Sequence, residues 1–432
     1  MLFGLQTSTM KTSFNKVEWA DKGILYEVNI RQYTPEGSFN AFAQHLPRLK
    51  AMGVSILWLM PITPISHQLR QGSLGSYYAC SSYTTINPAF GNVDDLKSLI
   101  GKAHALNIKV IIDWVANHTG FDHHWTIEHP DWYIKDEQGN FTEKNGWHDV
   151  IDLNFEVQEM RTALIDAMRF WVYECDIDGF RCDMAHLVPL DFWQQARMSC
   201  ELIKPLFWLA ECEVVDYHQV FDASYAWWWM HESAKYQKGQ SSLHEISNVL
   251  HAYSQYPKDA IKLFFTSNHD ENSWSGTEIE KYGAAAKAWA VFCFTWHGMP
   301  MIYSGQETAN DKRLKFFDKD IINWIDPPPL HDFYATLAQL RINNDAITMG
   351  ESFILPSDHG NELMAFFRRK ADDLVLVLLN VSEKDRLQIQ VDHEWLNGNF
   401  RNIFSNLEFQ FDRKASFELQ AGEYIVYEKI QK

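Results

Sequence analysis

The chain has 432 residues, 46 % of them hydrophobic, and a formal net charge of −18. That is ample apolar material for a large domain with an appendage. The acidic balance argues against nucleic acid or an anionic membrane as the main partner, because both demand basic surface.

No apolar run is long enough to span a bilayer. The opening "MLFGLQTSTMKTSFNK" lacks the basic-then-apolar pattern of a secretory leader. Cys80, Cys175, Cys182, Cys200, Cys212 and Cys293 are scattered, with no CxxC pair. They read as reduced thiols, so the expected location is cytoplasmic. The 17 Trp, 17 Tyr and 28 Phe suit either a large core or platforms for flat apolar faces, and composition does not choose between them.

In chain order, "GILYEVNI" (Gly23–Ile30) reads as a strand. Ser38 then caps a helix carrying Phe39, Phe42, Leu46, Leu49 and Met52, with Pro47 set against its continuity. "VSILWLMP" is a near-continuous apolar run, as expected for a strand buried on both faces. Asn92 with Asp95 resembles a capping box ahead of a helical stripe from Val93 to Leu106. "KVIIDWV" follows as a strand, then a longer loop, then a helical stripe from Val157 to Cys175. "DGFRCD", "LFWLAEC", a weak candidate near "ASYAWWWM", "LFFTSNHD" and "PMIYSGQE" complete a set of eight.

Eight strand–helix units over roughly 330 residues predict an α/β fold, a (β/α)8 TIM barrel. The rival, an open doubly wound sheet, lacks its Gly-rich fingerprint after the first strand. From about residue 345, "LMAFFRRK", "LVLVLLNV", "RLQIQVD" and "GEYIVYEK" read as short antiparallel strands. The expected organisation is therefore a barrel over residues 1–345 and a C-terminal antiparallel β-sandwich over 346–432.

The segment "ECDIDGFRCDMAHL" places four acids among Ile177, Phe180, Met184 and Leu187. Arg181 and Asp183, two apart, share one strand face. Buried charges are costly even when paired. Polar groups also follow other apolar strands: Asp113, Asn117 and His118; Glu211 and Glu213; His269 and Asp270; Gln306 and Glu307. One such position is as well explained by a helix cap or a core ion pair. Five at the end of a barrel where chemistry resides point to an active site. Converging carboxylates raise one another's pKa, and two flanking a glycosidic bond are what glycoside hydrolysis requires. "HHW" at His123–Trp125 lacks a third group at zinc spacing and reads as a polar loop.

The ordered motifs "DWVANH", "GFRCDMAH", an apolar strand ending in Glu, and "NHD" resemble those of the α-amylase family of glycoside hydrolases, family thirteen. "GSYYACSSYTTINPAFG", "IDLN" and "GMPMIYSGQE" look like its accessory motifs, so the resemblance spans essentially the whole chain. It implies Asp183 as nucleophile, Glu211 as general acid/base and Asp270 as transition-state stabiliser. It implies Arg181 as the group orienting the nucleophile, His118 and His269 as the histidines that hydrogen-bond the sugar at the cleaved bond, Asp113 as the supporting aspartate of the third strand, and Tyr78 as the ring stacking under that sugar.

Departures from the family pattern are Ala210 for the usual glycine, Ser82 for an aspartate, and His186–Leu187 for Lys-His. The resemblance implies no required cofactor. Asn117 and Asp152 match two calcium-ligand positions, which makes calcium compatible without making it implied. Residues 118–152 are short for the family's B domain. Trp227, Trp228 and Trp229 read either as packing or as stacking partners for leaving-group sugars. The expected reaction is retaining hydrolysis of α-1,4 bonds in maltooligosaccharides or starch-like glucans. The alternatives are an α-glucan transglycosylase on the same scaffold, or a silent barrel kept as a binding module.

Overall fold

The structure, a computed structural model, describes residues 14–431. The opening stretch read for a leader therefore lies largely outside the described residues. The eight apolar runs form eight parallel strands: β1 (Leu25–Val28), β2 (Ile56–Leu59), β3 (Lys109–Trp114), β4 (Gly179–Cys182), β5 (Phe207–Ala210), β6 (Ala223–Tyr225), β7 (Ile261–Phe264) and β8 (Met299–Tyr303). They close in chain order, with β1 paired to both β2 and β8. This is the expected (β/α)8 barrel. Both faces of each strand are covered, one by the barrel interior and one by helices, so β1, β2, β4, β5 and β7 are buried at every residue. The weak sixth strand is real but short, and the chain turns into the helix Trp227–Gln237 directly after it.

Two local expectations need correction. The first strand ends at Val28, and Ile30 begins a helical turn. The helix capped by Ser38 is broken into Phe39–Phe42, a 3-10 turn at Ala43–His45, and Leu46–Ala51. Pro47 has no N–H for the Ala43 carbonyl, so the ladder fails where it should continue. Ser38 does cap, accepting from Ala41 N–H, and the Asn92–Asp95 capping box forms in both directions.

After β3 the chain makes an antiparallel ribbon in which His118 faces Asp152 and Gly120 faces Val150. The loop it closes leans over the mouth of the barrel.

The C-terminal strands are β9 (Glu351–Ile354), β10 (Leu363–Lys370), β11 (Asp373–Asn380), β12 (Leu387–Asn402), β13 (Glu408–Leu419) and β14 (Tyr424–Lys429). They form one antiparallel sheet in the order β9-β10-β11-β14-β12-β13. β10 and β12 are three steps apart, about 14 Å in a flat sheet. Yet the rings of Phe367 and Trp395 lie 5.7 Å apart. The sheet therefore curls over its own core, and the two layers of the expected sandwich are two parts of one sheet. On its other face Phe366 packs against Phe292 and Trp296 of the barrel's outer layer.

At the amino end of β4, Asp178 ties the barrel base together. Its Oδ2 accepts from Val110 N–H at 2.9 Å and contacts His104 Nε2 at 2.6 Å, and its Oδ1 meets Lys109 Nζ at 3.1 Å. Burial alone would raise this carboxyl. The His104 imidazole, the Val110 N–H and Lys204 outweigh it and hold the pKa at about 2. A depressed carboxyl stabilises the fold above its unfolded pKa, and that contribution is lost as pH falls through the folded value. Asp178→Asn is expected to lower Tm at pH 7 by an amount worth on the order of 2 kcal/mol. The difference from wild type should narrow below pH 4 and vanish near pH 2. Thermal melts of both proteins across pH 2–7 test this, and a difference independent of pH would refute it.

Candidate active site

Strand register brings the charged residues level. Asp113 on β3 stands opposite Arg181 on β4, and Cys182 stands opposite Ala210 on β5. The next residues, Asp183 and Glu211, therefore leave the barrel at one height. Asp183 N–H donates to the Trp114 carbonyl and Glu211 N–H to the Cys182 carbonyl, both at 3.0 Å.

Arg181 is 0 % exposed. Its Nη1 donates to Asp113 Oδ1 and to Asp183 Oδ1, each at 2.9 Å, and its Nη2 to Glu211 Oε2 at 2.6 Å. Nε donates to the Tyr225 hydroxyl at 3.1 Å. The guanidinium carbon lies 4.8 Å from the centre of the Trp58 ring, whose Nε1 donates to Asp113 Oδ2. Glu211 Oε2 also accepts from Met184 N–H at 3.0 Å. Asp183 Oδ2 and Glu211 Oε1 have no hydrogen-bond partner among the described residues.

His269 is the second cation. Its Nδ1 contacts Glu27, and its Nε2 meets the Tyr78 hydroxyl at 2.7 Å and Asp270 Oδ2 at 3.3 Å. Burial acts to lower its pKa. The carboxylates of Asp270 and Glu27 outweigh it and lift the imidazolium to about 9. His118 has no such neighbour in contact, and burial lowers it to about 4, so it is neutral at pH 7. Burial raises the Asp183 and Glu211 carboxyls, Arg181 opposes the rise in both, and the charge of Asp183 lifts Glu211 further.

These groups open into a cavity of about 330 Å³ lined by Tyr78, His118, Asp183, Glu211 and Asp270, with Trp147, Trp274 and Phe316 as aromatic walls. Asp113 and Arg181 lie beneath it. All eight residues singled out from the sequence thus meet at the carboxyl end of the barrel.

Not every strand-end polar group joins them. Glu307 faces the other way and bonds Tyr26 and Arg48. Gln306 bonds Thr266, and Glu213 receives Trp228 N–H. Asn117 donates to Asp152 at 3.4 Å. Among the described residues no three His, Cys, Asp or Glu are arranged to hold a metal ion. His123 of "HHW" is buried, with its pKa pushed down to about 3.

Trp229 is buried against Phe264, Phe292 and Trp289, Trp227 stacks on His231, and Trp228, 49 % exposed, lies over Tyr253. None of the three lines the cavity.

Sequence reasoning passes over Glu27, Trp58, Tyr225, Trp147, Trp274 and Phe316. Glu27 alone carries a signal, being an acid in the middle of an apolar strand. The loop aromatics carry none, because nothing local tells which loop tip returns to the mouth of the barrel.

The arrangement has relatives. The catalytic-domain model of the alpha-amylases matches residues 9–202. The crystal structure of a noncanonic maltogenic alpha-amylase AmyB from Thermotoga neapolitana superposes with a TM-score of 0.87 and 30 % identity, covering 95 % of this chain and 99 % of that one. The chain belongs to the α-amylase family of glycoside hydrolases. An alpha-amylase from Lactobacillus plantarum gives a TM-score of 0.86 at 27 % identity over 95 % of this chain and 99 % of its own. Alpha-amylase MalA of Haloarcula japonica is 27 % identical over 84 % of this chain, which spans 56 % of MalA's length.

In this member of the family the imidazolium of His269 is built into the fold. A raised pKa stabilises fully below the unfolded value near 6.5, and the contribution disappears as pH rises through about 9. The Tm advantage of wild type over His269→Gln is expected to be greatest below pH 6.5, worth on the order of 3 kcal/mol. It should decline steadily to pH 9. Melts at pH 5–10 check this, and an advantage that grows with pH would show a neutral His269.

Proposed function

We propose that the chain is a retaining hydrolase of α-1,4-glucosidic bonds in maltooligosaccharides or starch-like glucans. One observation carries this reading. Arg181 binds one oxygen of Asp183 and one of Glu211, and leaves the other oxygen of each free toward a sugar-sized cavity.

Asp183 Oδ2 attacks the anomeric carbon. Glu211 Oε1 delivers its proton to the leaving glycosidic oxygen, and a covalent glycosyl-enzyme forms. Water then attacks the same carbon from the face the leaving group vacated. Glu211 removes its proton, Asp183 departs as carboxylate, and the product keeps the α configuration. Tyr78 and the neutral His118 border the ring undergoing reaction, and Asp270 grips its hydroxyls. The steps use protein side chains and water alone.

Arg181 grips both carboxylates, so its charge does not by itself divide acid from nucleophile. The division arises because the pair is crowded and buried. Once Asp183 is ionised, its charge raises Glu211, which therefore keeps the proton.

NMR of fresh hydrolysate, read before mutarotation, is expected to show the α-anomer first, and initial β-anomer would remove Asp183 from the nucleophile's role. Glu211→Gln should lower kcat on maltotetraose by roughly 10²–10⁴-fold, the usual range for a lost general acid. An aryl α-maltoside, whose leaving group needs little protonation, should suffer far less. Equal losses on both substrates would assign the acid elsewhere.

A further inference from the structure

Asp149 belongs to no motif of the reaction, yet it lines the same cavity. It is 4 % exposed, and its Oδ2 has no hydrogen-bond partner among the described residues. The Gln71 side chain lines the cavity with it and acts to lower this carboxyl against the rise that burial causes. A buried carboxylate oxygen without a donor is costly, and like the free oxygens of Asp183 and Glu211 this one belongs to a residue that lines the cavity. The position is also specific. The ribbon that pairs Gly120 with Val150 carries Asp149 outward from His118. Two residues earlier the Trp147 ring lies 5.1 Å from the His118 ring. Met184 lines the cavity beside Glu211, the acid that serves the leaving group. Trp147 and Asp149 thus belong to the His118 wall of the cavity, which we read as its glycone end because Glu211 is read as serving the leaving group.

We propose that Asp149 is a specificity-determining residue. Its free Oδ2 accepts a hydroxyl of the glucosyl ring next to the reacting one on the glycone side, while the Trp147 indole covers that ring's apolar face. This rests on the reading of the chain as an α-glucan hydrolase. It makes chains with at least two glycone rings the preferred substrates, because a site built to hydrogen-bond a hydroxyl discriminates strongly against ligands lacking it.

The test compares wild type, Asp149→Asn and Asp149→Ala on maltotetraose and on 4-nitrophenyl α-glucoside, which has a single glycone ring. For Asp149→Ala the KM for maltotetraose is expected to rise roughly 10–100-fold, with kcat within about threefold. Turnover of the aryl glucoside should change by less than about twofold. Asp149→Asn, which keeps one acceptor oxygen, should fall between, and it is the variant read if the alanine protein fails to fold. An unchanged KM for maltotetraose, or equal losses on both substrates, would overturn the assignment. If wild type cleaves neither substrate, the hydrolase reading fails. Calorimetric titration of maltotetraose into wild type and Asp149→Asn then decides Asp149 separately, with equal affinities counting against it.

Discussion

One guanidinium organises this molecule. Arg181 is wholly buried and touches Asp113, Asp183 and Glu211 at once. With His269 it is one of two cations set among five acids: Glu27, Asp113, Asp183, Glu211 and Asp270. The site therefore carries more acidic groups than basic ones, with Glu27, Asp113, Asp183 and Glu211 buried and Asp270 partly exposed. Burial raises the pKa of every one of those five. Raised carboxyls are the condition under which one of them can serve as a proton donor. The remaining negative charge is matched by the positive charge that develops on the sugar ring as the bond breaks. A site pre-set for that charge stabilises the transition state more than the ground state.

The barrel makes such crowding tolerable. Parallel register fixes Asp113 opposite Arg181, and a one-residue slip would turn these charges from the barrel interior into the apolar layer beneath the helices. Trp58 and Tyr225 then lock the guanidinium from the sides. A buried ion cluster adds little stability of its own. The apolar strands and their helices hold it in place.

The fold was legible because its signals are local. Runs such as "SILWLMP" and "KVIIDWV" are short, apolar and bounded, and their number and spacing leave a barrel as the economical solution. The candidate site was legible for a related reason: its charges lie at the ends of those runs. What the sequence withholds depends on three-dimensional return. The strand-end argument alone would also have admitted Glu307 and Glu213, which turn toward Tyr26 and Tyr253. Trp147, Trp274 and Phe316 reach the cavity from loops whose direction no periodicity encodes. The curl of the C-terminal sheet needs long-range contacts, such as Phe367 on Trp395, that alternation along a strand does not specify.

The segment Glu174–Leu187 holds four acids, and their fates show how the two ends of one strand differ. Glu174 pairs with Lys97 on the surface, and Asp176 with Lys204 at the end of the preceding helix. Asp178 closes the base of the barrel, surrounded by donors that leave it firmly ionised. Asp183, five residues on, ends the same strand in the opposite condition, with burial pushing its carboxyl up and one oxygen unbound. In the proposed mechanism that free oxygen is the one that attacks, and an oxygen held by several donors would be a poor nucleophile. The difference between the two ends of β4 is the difference between a charge that holds structure and one left incomplete for substrate to complete.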